Sequence, residues 1–239
     1  MVKIDVVSGF LGAGKTTLIK KMFESSVYKN EKVVLIENEF GEIGIDGSFL
    51  KDSGIEIKEI NSGCICCSLV GDFSSSMKEV IDRFSPSRIV IEPSGVGKLS
   101  DIVGAIEKVD ADLEINILAT VVDGGKVKMY MKNFGEFFVN QVENAHAIVV
   151  GKVDKINEAK LNESVELIRQ VNPKGNIITT NITALDADDL IKFLEKKDSL
   201  KDELIEKIHH EHLEHEDDEC DDPNCSCHHH HHHDDNEEE

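Results

Sequence analysis

Residues 9–16 read Gly-Phe-Leu-Gly-Ala-Gly-Lys-Thr, a complete phosphate-binding loop placed almost at the start of the chain. The run Lys3-Ile4-Asp5-Val6-Val7 before it reads as a strand, and Leu18, Ile19 and Met22 after it fall at helical spacing. Strand, Gly-rich loop and helix is the context this motif requires before it carries meaning. Gly9, Gly12 and Gly14 let the backbone N–H groups turn inward without a Cβ clash, so that with Ala13 they form a nest for the α- and β-phosphates. The helix that opens at Thr16 and Thr17 adds the partial positive charge of its N-terminus. Lys15 is expected to reach the β- and γ-phosphates, and the Thr16 hydroxyl to ligate Mg²⁺. A nucleoside triphosphate is the expected ligand.

The rest of the chain divides in two. Thirteen acidic residues and no Lys or Arg occupy 211–239, whereas the first 210 residues carry a modest −8 of the formal −21. The break near Lys207 predicts a globular domain over 1–207 and an acidic, His/Cys-rich tail over 208–239, too poor in apolar surface to offset its ordering entropy and so expected to be disordered without a ligand. Within the body, strand-like runs at 32–37, 55–60, 87–92, 115–123, 147–152 and 176–179 alternate with helical patterns at 16–25, 73–84, 99–108, 158–171 and 187–196. Arg88-Ile89-Val90-Ile91 and Ala147-Ile148-Val149-Val150 are near-continuous apolar runs, as in parallel strands buried on both faces. The expected fold is a doubly wound α/β sheet of the P-loop NTPase type, mostly parallel, with helices on both faces and ligands at the C-terminal strand ends.

Those strand ends carry further chemistry. Glu92-Pro93-Ser94-Gly95 follows one strand: Glu92 would hold the Mg²⁺ shell directly or through water, and Gly95 would approach the γ-phosphate. Gly151-Lys152-Val153-Asp154 follows another and matches the Lys-x-Asp half of the guanine-reading Asn-Lys-x-Asp pattern. Asp154 would accept from guanine N1–H and its exocyclic amine, and the Lys152 stem would pack along the base. Gly151 in place of Asn removes one polar contact. Ala184, after the last strand, would offer a backbone N–H to guanine O6. Lys15, Thr16 and Glu92 are thus the expected catalytic residues.

A second constellation is Gly63-Cys64-Ile65-Cys66-Cys67. Cys64, Cys66 and Cys67 put three thiolates within reach of one tetrahedral cation, all three only if the loop bends. Glu42, in Glu37-Asn38-Glu39-Phe40-Gly41-Glu42, would complete a metal site, while Glu37 or Glu39 would face the nucleotide. No secretory signal is visible, so the six Cys are expected to be reduced thiols or metal ligands in a cytoplasmic protein. No apolar run approaches the ~20 residues of a membrane helix. The −21 charge and the absence of Trp oppose nucleic-acid binding.

In their order and spacing, Gly-Phe-Leu-Gly-Ala-Gly-Lys-Thr-Thr, Glu-Asn-Glu-Phe-Gly-Glu and Gly-Cys-Ile-Cys-Cys resemble the CobW-like metallochaperone GTPases, kin to the HypB and UreG nickel-insertion GTPases. The resemblance covers roughly residues 1–195. It implies a Mg²⁺-dependent GTPase whose CxCC loop binds Zn²⁺, or Co²⁺ or Ni²⁺, and delivers it to a client metalloprotein. A nucleotide- or metal-dependent homodimer is a further expectation. The C-terminal domain common in that family is expected to be missing between the body and the tail.

The tail is itself rich in ligands: His209, His210, His212 and His215, then Cys220, Cys225 and Cys227, then His228, His229, His230, His231, His232 and His233. The six histidines read as natural and not as a purification tag, because acidic sequence follows them and His/Cys-rich sequence precedes them. Imidazole and thiolate suit several transition metals and so name none. A metal buffer with regulatory nucleotide binding is the runner-up function; a small-molecule kinase leaves the cysteines unexplained.

Overall fold

Apolar side chains on successive strand residues point to opposite faces, and here both faces are covered. Ile4, Val6, Val34, Ile36, Ile89, Ile91, Ile148 and Val150 join one buried cluster, while Val7, Val33, Leu35, Val90, Ala147 and Val149 join another. The computed structural model describes residues 1–37, 56–59 and 70–195. Glu42, Cys64, Cys66, Cys67 and the whole of 208–239 lie outside them. In chain order the elements are β1 (Val2–Gly9), α1 (Lys15–Phe23), α2 (Ser26–Lys29), β2 (Val33–Glu37), β3 (Glu56–Glu59), α3 (Val70–Phe84), β4 (Arg88–Glu92), α4 (Leu99–Glu107), β5 (Leu113–Asp123), α5 (Val127–Asn133), α6 (Gly135–Glu143), β6 (Ala147–Gly151), α7 (Glu158–Val171), β7 (Asn176–Ile178) and α8 (Ala187–Leu194).

The strands form one sheet in the order β3-β2-β4-β1-β5-β6-β7, with every pairing parallel. This is the expected doubly wound class. Because β1 lies between β4 and β5, the loop leaving its C-terminal end is flanked by the ends of both neighbours, the place where such sheets bind ligands. Residues of α1, α2 and α8 pack in the cluster on one face, and residues of α3 to α7 in the cluster on the other.

The strand β5 contains a register shift where Ile4 pairs Ile115 but Asp5 pairs Ile117. Asn116 is the extra residue, and a one-residue insertion inverts side-chain parity. Leu113 and Ile115 accordingly pack on the α4 side, whereas Ile117, Ala119 and Val121 pack on the α1 side. The Asp5 carboxylate fills the bulge. Its Oδ1 accepts from the Ile117 N–H at 3.1 Å and from Asn116 Nδ2 at 3.0 Å.

Two parts of the sequence reading are corrected. The helix expected over 16–25 ends at Phe23, and the Ser25 hydroxyl accepts the Tyr28 N–H to cap a further short helix, α2, beyond it. The helices α5 and α6 were not expected at all. Both begin without a side-chain cap, and Gly135 opens the second, so the start signals are missing. Their apolar residues Val127, Tyr130, Met131, Phe134, Phe138 and Val142 do recur at three and four, a stripe that would have found them.

Candidate functional site

The phosphate loop is built from backbone angles that other residues rarely adopt. Gly9, Gly12 and Gly14 have φ of 142°, 70° and 116°. At Gly9 a Cβ would lie 2.3 Å from the Val121 carbonyl oxygen, so the loop leaves β1 pressed against β5. The loop is also anchored by Phe10, whose ring stacks on Tyr130 with centroids 4.7 Å apart and lies 5.8 Å from Phe138. Lys15 opens α1 and is 4% exposed, and its Nζ stands 3.5 Å from Glu92 Oε1 at the end of β4. Thr16 and Thr17 follow on the exposed first turn. Gly95 sits beside this loop: a Cβ there would come within 3.0 Å of the Leu11 nitrogen and 3.2 Å of the Gly9 oxygen.

The other side of the site comes from β5, β6 and the segment after β7. Lys152 takes a left-handed conformation, φ 59°, and its Nζ donates to Asp123 Oδ2 at 2.8 Å. Asp123 Oδ1 accepts the Gly125 N–H at 3.0 Å, which fixes the carboxylate. Asp154 follows on a short 3-10 turn, Val153–Lys155, and is exposed. A cavity of about 600 Å³ is lined by Leu11 to Thr17, Val121, Val150 to Lys155, and Asn181 to Thr183. Ligand sites generally occupy about 300–1,000 Å³, and this cavity lies within that range.

Of the residues singled out from sequence, Gly12, Ala13, Gly14, Lys15, Thr16, Thr17, Lys152 and Asp154 meet in this one cavity. Glu92 is next to it through Lys15, and Gly95 through the loop backbone. Ala184 is not in its wall, and its N–H is spent on the Asn181 carbonyl at 3.0 Å; Asn181, Ile182 and Thr183 stand there instead. Sequence reasoning missed Asp123, although an acid ending an apolar strand before Gly124-Gly125 resembles the pattern that marked Glu92. The left-handed glycines and the buried Lys15 and Glu92 suit a Mg²⁺-bound triphosphate in the donor types they offer. Among the described residues, no group of three or more His, Cys, Asp and Glu converges on a metal position.

A parallel sheet with a Gly-rich loop on its central strand and a cavity across three strand ends defines a P-loop nucleotide-binding protein. The chain belongs to the CobW/HypB/UreG family, whose nucleotide-binding domain matches residues 3–179. It is 32% identical over 186 residues to the zinc chaperone CobW of a Sinorhizobium species, covering 65% of this chain and 52% of that protein. It is 34% identical over 157 residues to the zinc chaperone YeiR of Escherichia coli K12, covering 65% and 48%. The chain thus spans about half the length of these curated relatives. The crystal structure of the Zn(II)-bound YjiA GTPase from Escherichia coli shares the fold, with a TM-score of 0.58 at 20% identity over 87% of this chain and 69% of that one. Among the described residues, no helix is long and apolar enough to cross a membrane.

Proposed function

We propose that this chain hydrolyses GTP and uses the cycle to bind Zn²⁺, or a similar transition metal, and pass it to a client metalloprotein. The observation that carries the nucleotide half is the cavity that brings the phosphate loop, Lys152–Asp154 and Asn181–Thr183 together. In this reading the glycine-lined backbone binds the α- and β-phosphates, and Lys15 sets its ammonium at the β- and γ-phosphates. These groups are positioned before the reaction, so they stabilise charge spreading over the γ-phosphoryl group as water displaces it. Mg²⁺, held by Thr16 with Glu92 in its outer shell, would neutralise part of that charge. Asp154 would read the guanine N1–H and amine, and Asp123 would hold Lys152 alongside the base.

The metal half rests on family membership, on the names of the two zinc chaperones, and on the residue types Cys64, Cys66, Cys67 and Glu42. The tail histidines and cysteines would raise the local supply of cargo. The test is GTP turnover of the full chain and of Lys15→Ala, each with and without Zn²⁺, Co²⁺ and Ni²⁺. Turnover should respond to one of these metals in the unmutated chain and fall at least about 100-fold in the variant, the scale of one lost transition-state contact. Metal binding with no turnover in either protein would favour the buffer reading. Equal competition by ATP would sink the guanine assignment.

A further inference from the structure

The helix α6 is tied to the segment after Glu92 along its length. Glu136 pairs with Lys98 at 2.5 Å. Asn140 accepts the Ser100 N–H at 3.2 Å and donates to the Ser100 hydroxyl at 3.0 Å. Gln141 enters more deeply: its Nε2 donates to the Gly95 carbonyl at 3.1 Å and to the Gly97 carbonyl at 2.7 Å. The far side of α6 is fixed, because the Gln141 carbonyl accepts from the Thr120 hydroxyl at 2.7 Å and Phe138 packs on Phe10 of the phosphate loop. Gln141 is fully buried, yet its Oε1 has no partner. A core amide chosen only for stability would satisfy both ends. Here the donor end is occupied twice and the acceptor end is left over.

We propose that Gln141 is a positioning residue for nucleotide hydrolysis, holding the 94–97 turn against the phosphate loop; this rests on the GTPase reading above. Gly95 has no side chain by which it can be held, and a Cβ there would meet the loop backbone. The turn is closed by the Gly97 N–H on the Ser94 carbonyl at 2.9 Å. One planar NH₂ group bridging the carbonyls of Gly95 and Gly97 therefore sets two peptide planes at once. In a trans peptide the C=O and N–H are antiparallel, so drawing the Gly95 carbonyl toward Gln141 aims the Val96 N–H away from α6. Backbone donors fixed before the reaction need no reorganisation during it. Phosphate loop and turn are thus referred to one rigid helix, through Phe138 and Gln141.

The test compares full-length chain, Gln141→Met and Gln141→Glu for GTP turnover, GDP affinity and thermal midpoint. Gln141→Met keeps the length and removes both donors. Its kcat should fall about 10-fold, less than the roughly 10²–10³ lost when a transition-state donor itself is removed, while GDP affinity stays unchanged. The carboxyl introduced by Gln141→Glu is buried against two carbonyls and is protonated more readily than usual. As an acid it regains one donor, so its kcat relative to the unmutated chain should recover as pH is lowered, and that of Gln141→Met should not. An unchanged kcat in Gln141→Met overturns the proposal. So does a parallel loss of kcat, GDP affinity and thermal midpoint without pH recovery, which would assign Gln141 to the fold alone. No turnover in the unmutated chain would instead overturn the GTPase reading on which this rests.

Discussion

At Gly151 a side chain is excluded by a neighbouring backbone and not by a backbone angle. A Cβ there would stand 2.4 Å from the Ala13 carbonyl oxygen. Read along the sequence, this glycine is a lost polar contact in a guanine-reading pattern. In the folded chain it is where the end of β6 touches the phosphate loop. Close approach between residues so far apart leaves no trace in periodicity or spacing, so the sequence marked the position but not its meaning. The phosphate loop, by contrast, was legible because its chemistry is local: closely spaced glycines, Lys15 and Thr16 fix their own backbone. Gly151→Asn should therefore fail to improve selectivity for GTP. Overpacking of this kind costs typically 1–3 kcal/mol, so the variant should lose about that much stability in urea unfolding. Tighter binding of GTP over ATP by the variant would show that the contact was simply missing.

The bulge in β5 is the least local device among the described elements, and it is stabilised by groups from β1, α2, β4 and the loop before β2. Asp5 Oδ2 accepts from Arg88 Nη1 at 2.6 Å and from the Tyr28 hydroxyl at 2.5 Å, while Glu31 takes Arg88 Nε at 2.8 Å. Burial would lower the Arg88 guanidinium, but the Glu31 hydrogen bond and the Asp5 charge more than reverse this and hold it above its ordinary value. Tyr28 is pushed up as well, by burial first and then by the Asp5 charge. Both groups thus keep their protons across ordinary pH. Removing one member of a buried ion pair typically costs 3–5 kcal/mol, because the other charge is stranded. Asp5→Ala should lose about that much in urea unfolding, and Tyr28→Phe only about 1 kcal/mol. Similar losses in the two variants would mean that the charge is not what matters. From the sequence, Asp5 is a polar interruption in an apolar strand and Arg88 a polar start to another. Only the alignment of β1 between β4 and β5 brings them together. The strands and the longer helices were legible from their own patterns, since each buries its apolar residues in sequence order.

On the scale of the whole molecule, the proposed chaperone depends on linkage between nucleotide and metal. If GTP changes the Zn²⁺ affinity by some factor, Zn²⁺ must change the GTP affinity by the same factor. A working switch should show about 1–3 kcal/mol of coupling, roughly 5–150-fold. Zn²⁺ titrations of the full chain with GDP and with a non-hydrolysable GTP analogue should differ by that factor at one tight site. The difference should vanish when Cys64, Cys66 and Cys67 are all replaced by Ala. Equal affinities in both nucleotide states would leave hydrolysis without a hold on the metal. The bulge at Asn116 also bears on the site from a distance. At about 3.3 Å per residue, it lies roughly 23 Å along β5 from Asp123, yet its parity decides that Val121 supports Gly14 and that Asp123 faces Lys152. The strand works as a ruler whose zero is set at Asn116. Loss of that single residue would rewrite every later position on the strand, and a lesion that looks purely architectural would then surface at the Asp123–Lys152 pair, where the base is proposed to be read.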